Sequence, residues 1–205
     1  MTSVIDSPYK GSGQLTRQQF LFYEMRTTAK LMIEGMDDSQ ILNHIVSENL
    51  YQYPTEKTIK QIALGCIARL KGLNDERLVS EIANGDIETA KQCCLYAMMK
   101  QFRLVWDFMI TVIGEKYRVQ DFSFNRSEIL MFFLRIQEQD DLVASWSEST
   151  VKKIVSVIMR ILIETDYLDN NKAATINTVL INRTLEDAIR SSGDTNALVA
   201  FNCLA

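Results

Sequence analysis

Ser147-Glu148-Ser149-Thr150-Val151-Lys152-Lys153-Ile154 opens a stretch that runs on to Ile181 and decides the reading of the fold. Ser147 is a helix-capping residue type. Apolar positions at Val151, Ile154, Val155, Ile158, Ile161 and Leu162 then repeat at helical spacing, which predicts a helix to about Glu164. Tyr167-Leu168 follows, then polar Asp169-Asn170-Asn171-Lys172, then the β-prone run Ile176-Asn177-Thr178-Val179-Leu180-Ile181. A capped helix after two others, with a two-stranded hairpin behind it, is the pattern of a winged helix, a fold mostly used to lay a helix into the major groove of duplex DNA. The expected fold is all-α: two helical lobes with helix-turn-helix character, the C-terminal one winged-helix-like with a single small β-hairpin between about Tyr167 and Ile181.

Working outward, a short helix is expected around Glu138–Ser145. Asn125 caps another, with Glu128 at its third position and Phe124 and Ile129 as a hydrophobic staple. Tyr117–Phe124 reads as the linker between domains, and Asp86–Glu115 as a helical region broken near Lys100-Gln101. A short helix over Asn74–Ala83 precedes it. Before that, Pro54-Thr55 starts a helix with Ile59, Ile62, Ala63, Cys66, Ile67 and Leu70 on one face, stopped by Gly72. Asp37 or Asp38 caps a helix carrying Ile41, Leu42, Ile45 and Val46, and a Thr16/Gln19 capping box opens one that ends before Gly35. The expected domains are a disordered tail 1–14, an N-terminal helical domain 15–118, a winged-helix-like domain 119–192 with a last helix at Thr184–Arg190, and a loose tail 193–205.

Composition agrees with a soluble helical protein: 47 % hydrophobic, 23 % charged, and only 2 prolines and 8 glycines to interrupt helices. The net charge of −4 means that any nucleic-acid binding must rest on a local basic face, and basic residues are not concentrated in one block. Cys66, Cys93, Cys94 and Cys203 lack metal-ligand spacing, and the first three read as free core thiols of a reducing compartment. No secretory signal is recognisable, and the apolar run Phe102–Ile113 is too short and too charged to span a bilayer, so a cytoplasmic protein without membrane contact is expected.

On the Ser147 helix, Ser149, Lys152, Lys153, Ser156 and Arg160 project from the side opposite the apolar face. Hydroxyls and lysines near a helix N-terminus suit phosphate, because backbone N–H groups and the helix dipole add to the side-chain charge. Arg160 can reach phosphate or a guanine edge, and Lys172 at the expected wing tip a neighbouring phosphate. The Thr55 helix repeats the arrangement with Lys57, Lys60, Gln61 and Lys71, where Gln61 suits an adenine edge. Both sets equally describe ordinary solvated helix faces. The aromatic and sulfur positions Phe20, Phe22, Tyr23, Met98, Met99, Phe102, Trp106, Phe108 and Met109 read as core, or, where exposed, as a protein-binding groove. His44 is the only histidine, no glycine-rich phosphate loop appears, and Asp140-Asp141 point apart on a helix. No catalytic residue, metal, cofactor or small-molecule substrate is expected.

Phe20-Leu21-Phe22-Tyr23-Glu24-Met25-Arg26-Thr27-Thr28-Ala29, Ile67-Ala68-Arg69-Leu70, and Ser149-Thr150-Val151-Lys152-Lys153-Ile154 with Tyr167-Leu168 together resemble BrxA, the small helical component of the bacterial anti-phage system BREX. The resemblance spans about Leu15 to Arg190. It implies an all-helical, non-catalytic protein that binds double-stranded DNA and works alongside a methyltransferase, an ATPase and other large partners. Two alternatives stand beside it: an interaction scaffold within such a complex, and an RNA-binding helical protein similar to antitermination factors.

Overall fold

The computed structural model describes residues 7–17 and 19–203. The chain is predominantly helical, and among the described residues no strand forms. It divides into two compact units. The first comprises Phe20–Gln101 with Asn182–Ala188; the second joins the described residues up to Gln19 with Phe102–Ile181 and the chain from Ile189 onward. The boundary thus falls at Gln101–Phe102, and the stretch Tyr117–Phe124, expected as a linker, lies inside the second unit.

In the first unit, α1 (Phe22–Ile33) is entered through Leu21 in the left-handed region, φ 57°. The helix expected from Thr16 is therefore corrected. Ser12–Thr16 form a 3-10 turn instead, and Thr16 Oγ1 donates to Gly13 O rather than capping. For α2 (Asp38–Ser47), Asp37 and Gln40 close a reciprocal capping box at 2.9 Å in each direction. Thr55 caps α3 (Glu56–Leu73), which runs through Gly72; the stop falls instead at Asn74, which takes the left-handed cap at φ 53°. Asp75 caps α4 (Glu76–Asn84), and Asp86 accepts from the Thr89 N–H at the start of α5 (Ile87–Gln101). Helix α1 packs on α3 and α4, and α3 on α5.

Arg69 of α3 is 1 % exposed in this core. Its Nε donates to Gln101 Oε1 at 2.6 Å and its Nη1 to Phe20 O at 3.3 Å, so one guanidinium ties down both chain ends of the unit's long segment. Beside it the Tyr53 hydroxyl donates to Glu24 at 2.7 Å, and Thr28 and Tyr51 share a 2.6 Å hydrogen bond. Burial pushes the Cys66 thiol up to about 12 and those of Cys93 and Cys94 well above their ordinary range. The only histidine, His44, is exposed on α2.

The second unit begins with α6 (Arg103–Phe108), a wide π turn over Met109–Gly114, and α7 (Glu115–Val119). Asn125 caps α8 (Arg126–Gln137), but the expected reciprocal partner Glu128 pairs with Lys116 at 3.0 Å. Asp140 caps the single turn α9 (Asp141–Ala144) and also accepts from Ser7 Oγ at 3.0 Å. The expected 1–14 tail is thus placed from Ser7 onward, and its residues 1–6 lie outside the described residues. Ser147 caps α10 (Glu148–Glu164) through the Thr150 N–H, and α11 (Arg183–Ser192) crosses the unit boundary. The stretch expected as a loose tail holds a buried 3-10 turn, Thr195–Phe201, whose Ala200 O accepts from the Tyr167 hydroxyl at 2.8 Å.

The hairpin expected between Tyr167 and Ile181 is corrected among the described residues. Its two arms share one backbone hydrogen bond, Asn177 N–H to Tyr167 O, and the Asn177 amide side chain then bonds Asp166 O and Asp169. The return arm pairs elsewhere. Phe124 N–H donates to Ala174 O and Ile176 N–H to Phe122 O, making an isolated antiparallel bridge at Ser123 and Thr175.

Candidate functional site

The face of α10 away from the core carries three exposed cations, Lys152, Lys153 and Arg160. Ile154, Val155, Ile158, Ile161 and Leu162 are buried, with Val157 and Met159 beside them, so the 3.6-residue period leaves Ser149, Lys152, Lys153, Ser156 and Arg160 exposed together. The order at its N-terminus comes from hydroxyls: Ser147 Oγ lies 2.9 Å from both Ser149 Oγ and Thr150 Oγ1.

Lys152 Nζ sits 2.5 Å from Glu148 one turn back, a pair exposed on both sides, and the lysine holds the Glu148 carboxyl below its usual range. A pair this exposed to water adds little to stability, so Lys152 is easily drawn to another anion. Lys153 has no carboxylate within salt-bridge reach among the described residues. Ser156 Oγ donates to Lys152 O at 3.0 Å and accepts from Arg126 Nη2 at 3.2 Å, which brings a cation from α8 to the same face. Arg160 Nη1 donates to Gln19 Oε1.

These groups border an open cavity of about 330 Å³ whose lining is Lys152, Lys153, Ser156, Val157 and Arg160 from α10 with Thr16 and Gln19 from the chain before α1. Sequence reasoning found the α10 side of it and missed Thr16, Gln19 and Arg126. Gln19 lies 141 residues from Arg160, and no local pattern carries a pairing of that separation.

The other expected site residues fall elsewhere. Lys172 is exposed in the turn where its N–H donates to Asn170 Oδ1, and it does not line the cavity. Lys57, Lys60, Gln61 and Lys71 are exposed on α3 of the first unit, with Lys60 paired to Glu56 and Lys71 to Asp38 at 2.8 Å. Among the described residues, no three His, Cys, Asp or Glu side chains converge as metal ligands, and no helix is long and apolar enough to cross a membrane.

What these features define is an all-helical protein of two compact units with an open, cation-lined cavity on one helix face. The BrxA family model matches residues 8–193. A BREX protein BrxA from Bacillus cereus (strain H3081.97) is 36 % identical over 192 residues, covering 93 % of this chain and 94 % of that protein. Proteins of the same description from Paramagnetospirillum magneticum (strain ATCC 700264 / AMB-1) and Escherichia coli O9:H4 (strain HS) are 25 % and 24 % identical, over 83 % and 87 % of this chain and 85 % and 84 % of their own. The crystal structure of an uncharacterized protein from Magnetospirillum magneticum superposes with a TM-score of 0.79 at 22 % identity, covering 95 % of this chain and 98 % of that one. The chain belongs to the BrxA family of BREX proteins.

Proposed function

We propose that this protein is a non-catalytic double-stranded DNA-binding component of a BREX anti-phage defence system, working in the cytoplasm beside the system's other proteins. The observation that carries the reading is the α10 face, where Ser149, Lys152, Lys153, Ser156 and Arg160 stand exposed together while the opposite side is core. In this reading α8, α9 and α10 act as a helix-turn-helix unit with α10 as its reading helix, and Lys172 on the turn that follows reaches a neighbouring phosphate. The α3 set Lys57, Lys60, Gln61 and Lys71 is the parallel candidate in the first unit.

Binding of this kind releases condensed counterions, so log affinity falls with log salt by about 0.9 per phosphate neutralised. Lys152→Ala with Lys153→Ala therefore lowers that slope by about two units. Sequence preference changes little, because phosphate contacts position a protein without reading bases. Gel shifts on duplex, single-stranded DNA and RNA at two salt concentrations test this, with Lys57→Ala/Lys60→Ala in parallel. Unchanged duplex affinity in both double variants would refute it. The scaffold reading would then lead, favoured by Leu130, Met131 and Leu134 on α8, which are 42, 64 and 53 % exposed on one helix.

A further inference from the structure

We propose that the cavity lined by Thr16, Gln19 and α10 is a phosphate-monoester site, taking the terminal phosphate of a free nucleotide or of a 5′-phosphorylated DNA end. The inference rests on the proposed DNA binding for its biological setting but not for its chemistry. A continuous duplex backbone passes over a surface and leaves on both sides, whereas a concave cavity of about 330 Å³ admits a terminus or a small molecule, at the lower end of the usual ligand-site range.

The charge fits the same group. Glu148 offsets Lys152, leaving Lys153 and Arg160 at the cavity and Arg126 at its rim through Ser156. An excess of at least two positive charges matches a monoester, which carries about −1.5 to −2 at neutral pH, better than a diester with a single charge. Donor geometry is already set. Gln19 holds one Arg160 nitrogen, so the guanidinium is oriented before a ligand arrives, and its remaining N–H groups suit a phosphate oxygen pair. Buried Val157 lines the cavity with apolar surface, and Thr16, whose hydroxyl proton is held by Gly13 O, closes the side across from α10.

The test compares the full chain binding one duplex sequence with 5′-phosphate or 5′-hydroxyl ends, with adenosine 5′-monophosphate and inorganic phosphate as competitors. The 5′-phosphorylated duplex should bind about tenfold tighter, as expected for one or two added charge-assisted contacts. That preference should vanish in Lys153→Gln and Arg160→Gln, both exposed positions, with unchanged Tm. Competition by the free monophosphates assigns the site to nucleotides as well as ends. If neither duplex binds but the monophosphates do, the monoester site stands for free nucleotides and the DNA reading falls. Equal binding of the two duplexes without competition would overturn the monoester site and leave DNA binding intact. A preference that survives both substitutions would overturn it too, since the phosphate would then be held elsewhere.

Discussion

Gly114→Ala is the substitution whose cost can be worked most directly from the packing. Gly114 closes the π turn of the second unit, and a Cβ placed there would stand 2.5 Å from Val199 Cγ2, 3.0 Å from Val199 Cβ and 3.2 Å from its backbone carbon. Rotating the valine relieves only the first of these, so the 3-10 turn Thr195–Phe201 must shift or the π turn must widen. Overpacking of this size costs typically 1–3 kcal/mol, against the roughly 0.5–1 kcal/mol that alanine gains over glycine in helical backbone. The expected net loss is about 1–2 kcal/mol. At about 2–4 °C per kcal/mol for a chain of this size, that lowers Tm by roughly 2–8 °C. Val199→Ala removes the obstructing methyls, so in the Gly114→Ala background it should restore part of the loss although it destabilises the parent. Thermal and urea unfolding of the four proteins would measure the coupling. If Gly114→Ala is neutral, or the two changes add within about 0.5 kcal/mol, the close approach does not limit the packing and the reasoning fails.

Arg69→Ala should cost on the order of 4 kcal/mol in urea unfolding, because it opens a cavity and strips donors from Gln101 Oε1 and Phe20 O. Asp121 accepts from Ser123 and Lys116, which hold its carboxyl down to about 2 from an ordinary 3.8. Its stabilisation is therefore complete above the ordinary value and lost as pH falls toward 2, so the Tm gap between the parent and Asp121→Asn should be constant near neutrality and close between about pH 4 and 2. Cys203 is half-buried whereas Cys66, Cys93 and Cys94 are buried with raised thiol pKa values; a disulfide exchange reagent should label Cys203 first and the others only as the fold opens.

Much of the helical framework was legible because it is written locally. The caps at Asp37, Thr55, Asn125 and Ser147 sit within three residues of the N–H groups they satisfy, and the α10 apolar stripe fixes which side faces water. Even so, local rules misplaced two ends. Gly72 looked like a stop, but helical backbone suits it and Asn74 supplies the left-handed turn; Thr16 looked like a cap until Leu15 and Phe20 were both drawn into core. The hairpin failed because the arm 174–177 has two competing partners, and residues 122–124, some fifty positions earlier, take Ala174 and Ile176 while Tyr167 keeps only Asn177. The π turn leaves no mark in a 3.6-residue pattern. One side of the candidate cavity was hidden for the same reason of distance, since Thr16 and Gln19 meet α10 only through the tertiary fold.

The division of the chain also sets an order of events during synthesis. The first unit draws in Asn182–Ala188, whose Asn182 bonds Gln92 and Thr89, and the second needs Ala200 for Tyr167 and Val199 against Gly114. Neither unit is complete when its own long segment has emerged. Both lack contacts supplied from beyond position 181, so a chain halted there leaves Gln92 and Thr89 without Asn182, and Tyr167 without Ala200.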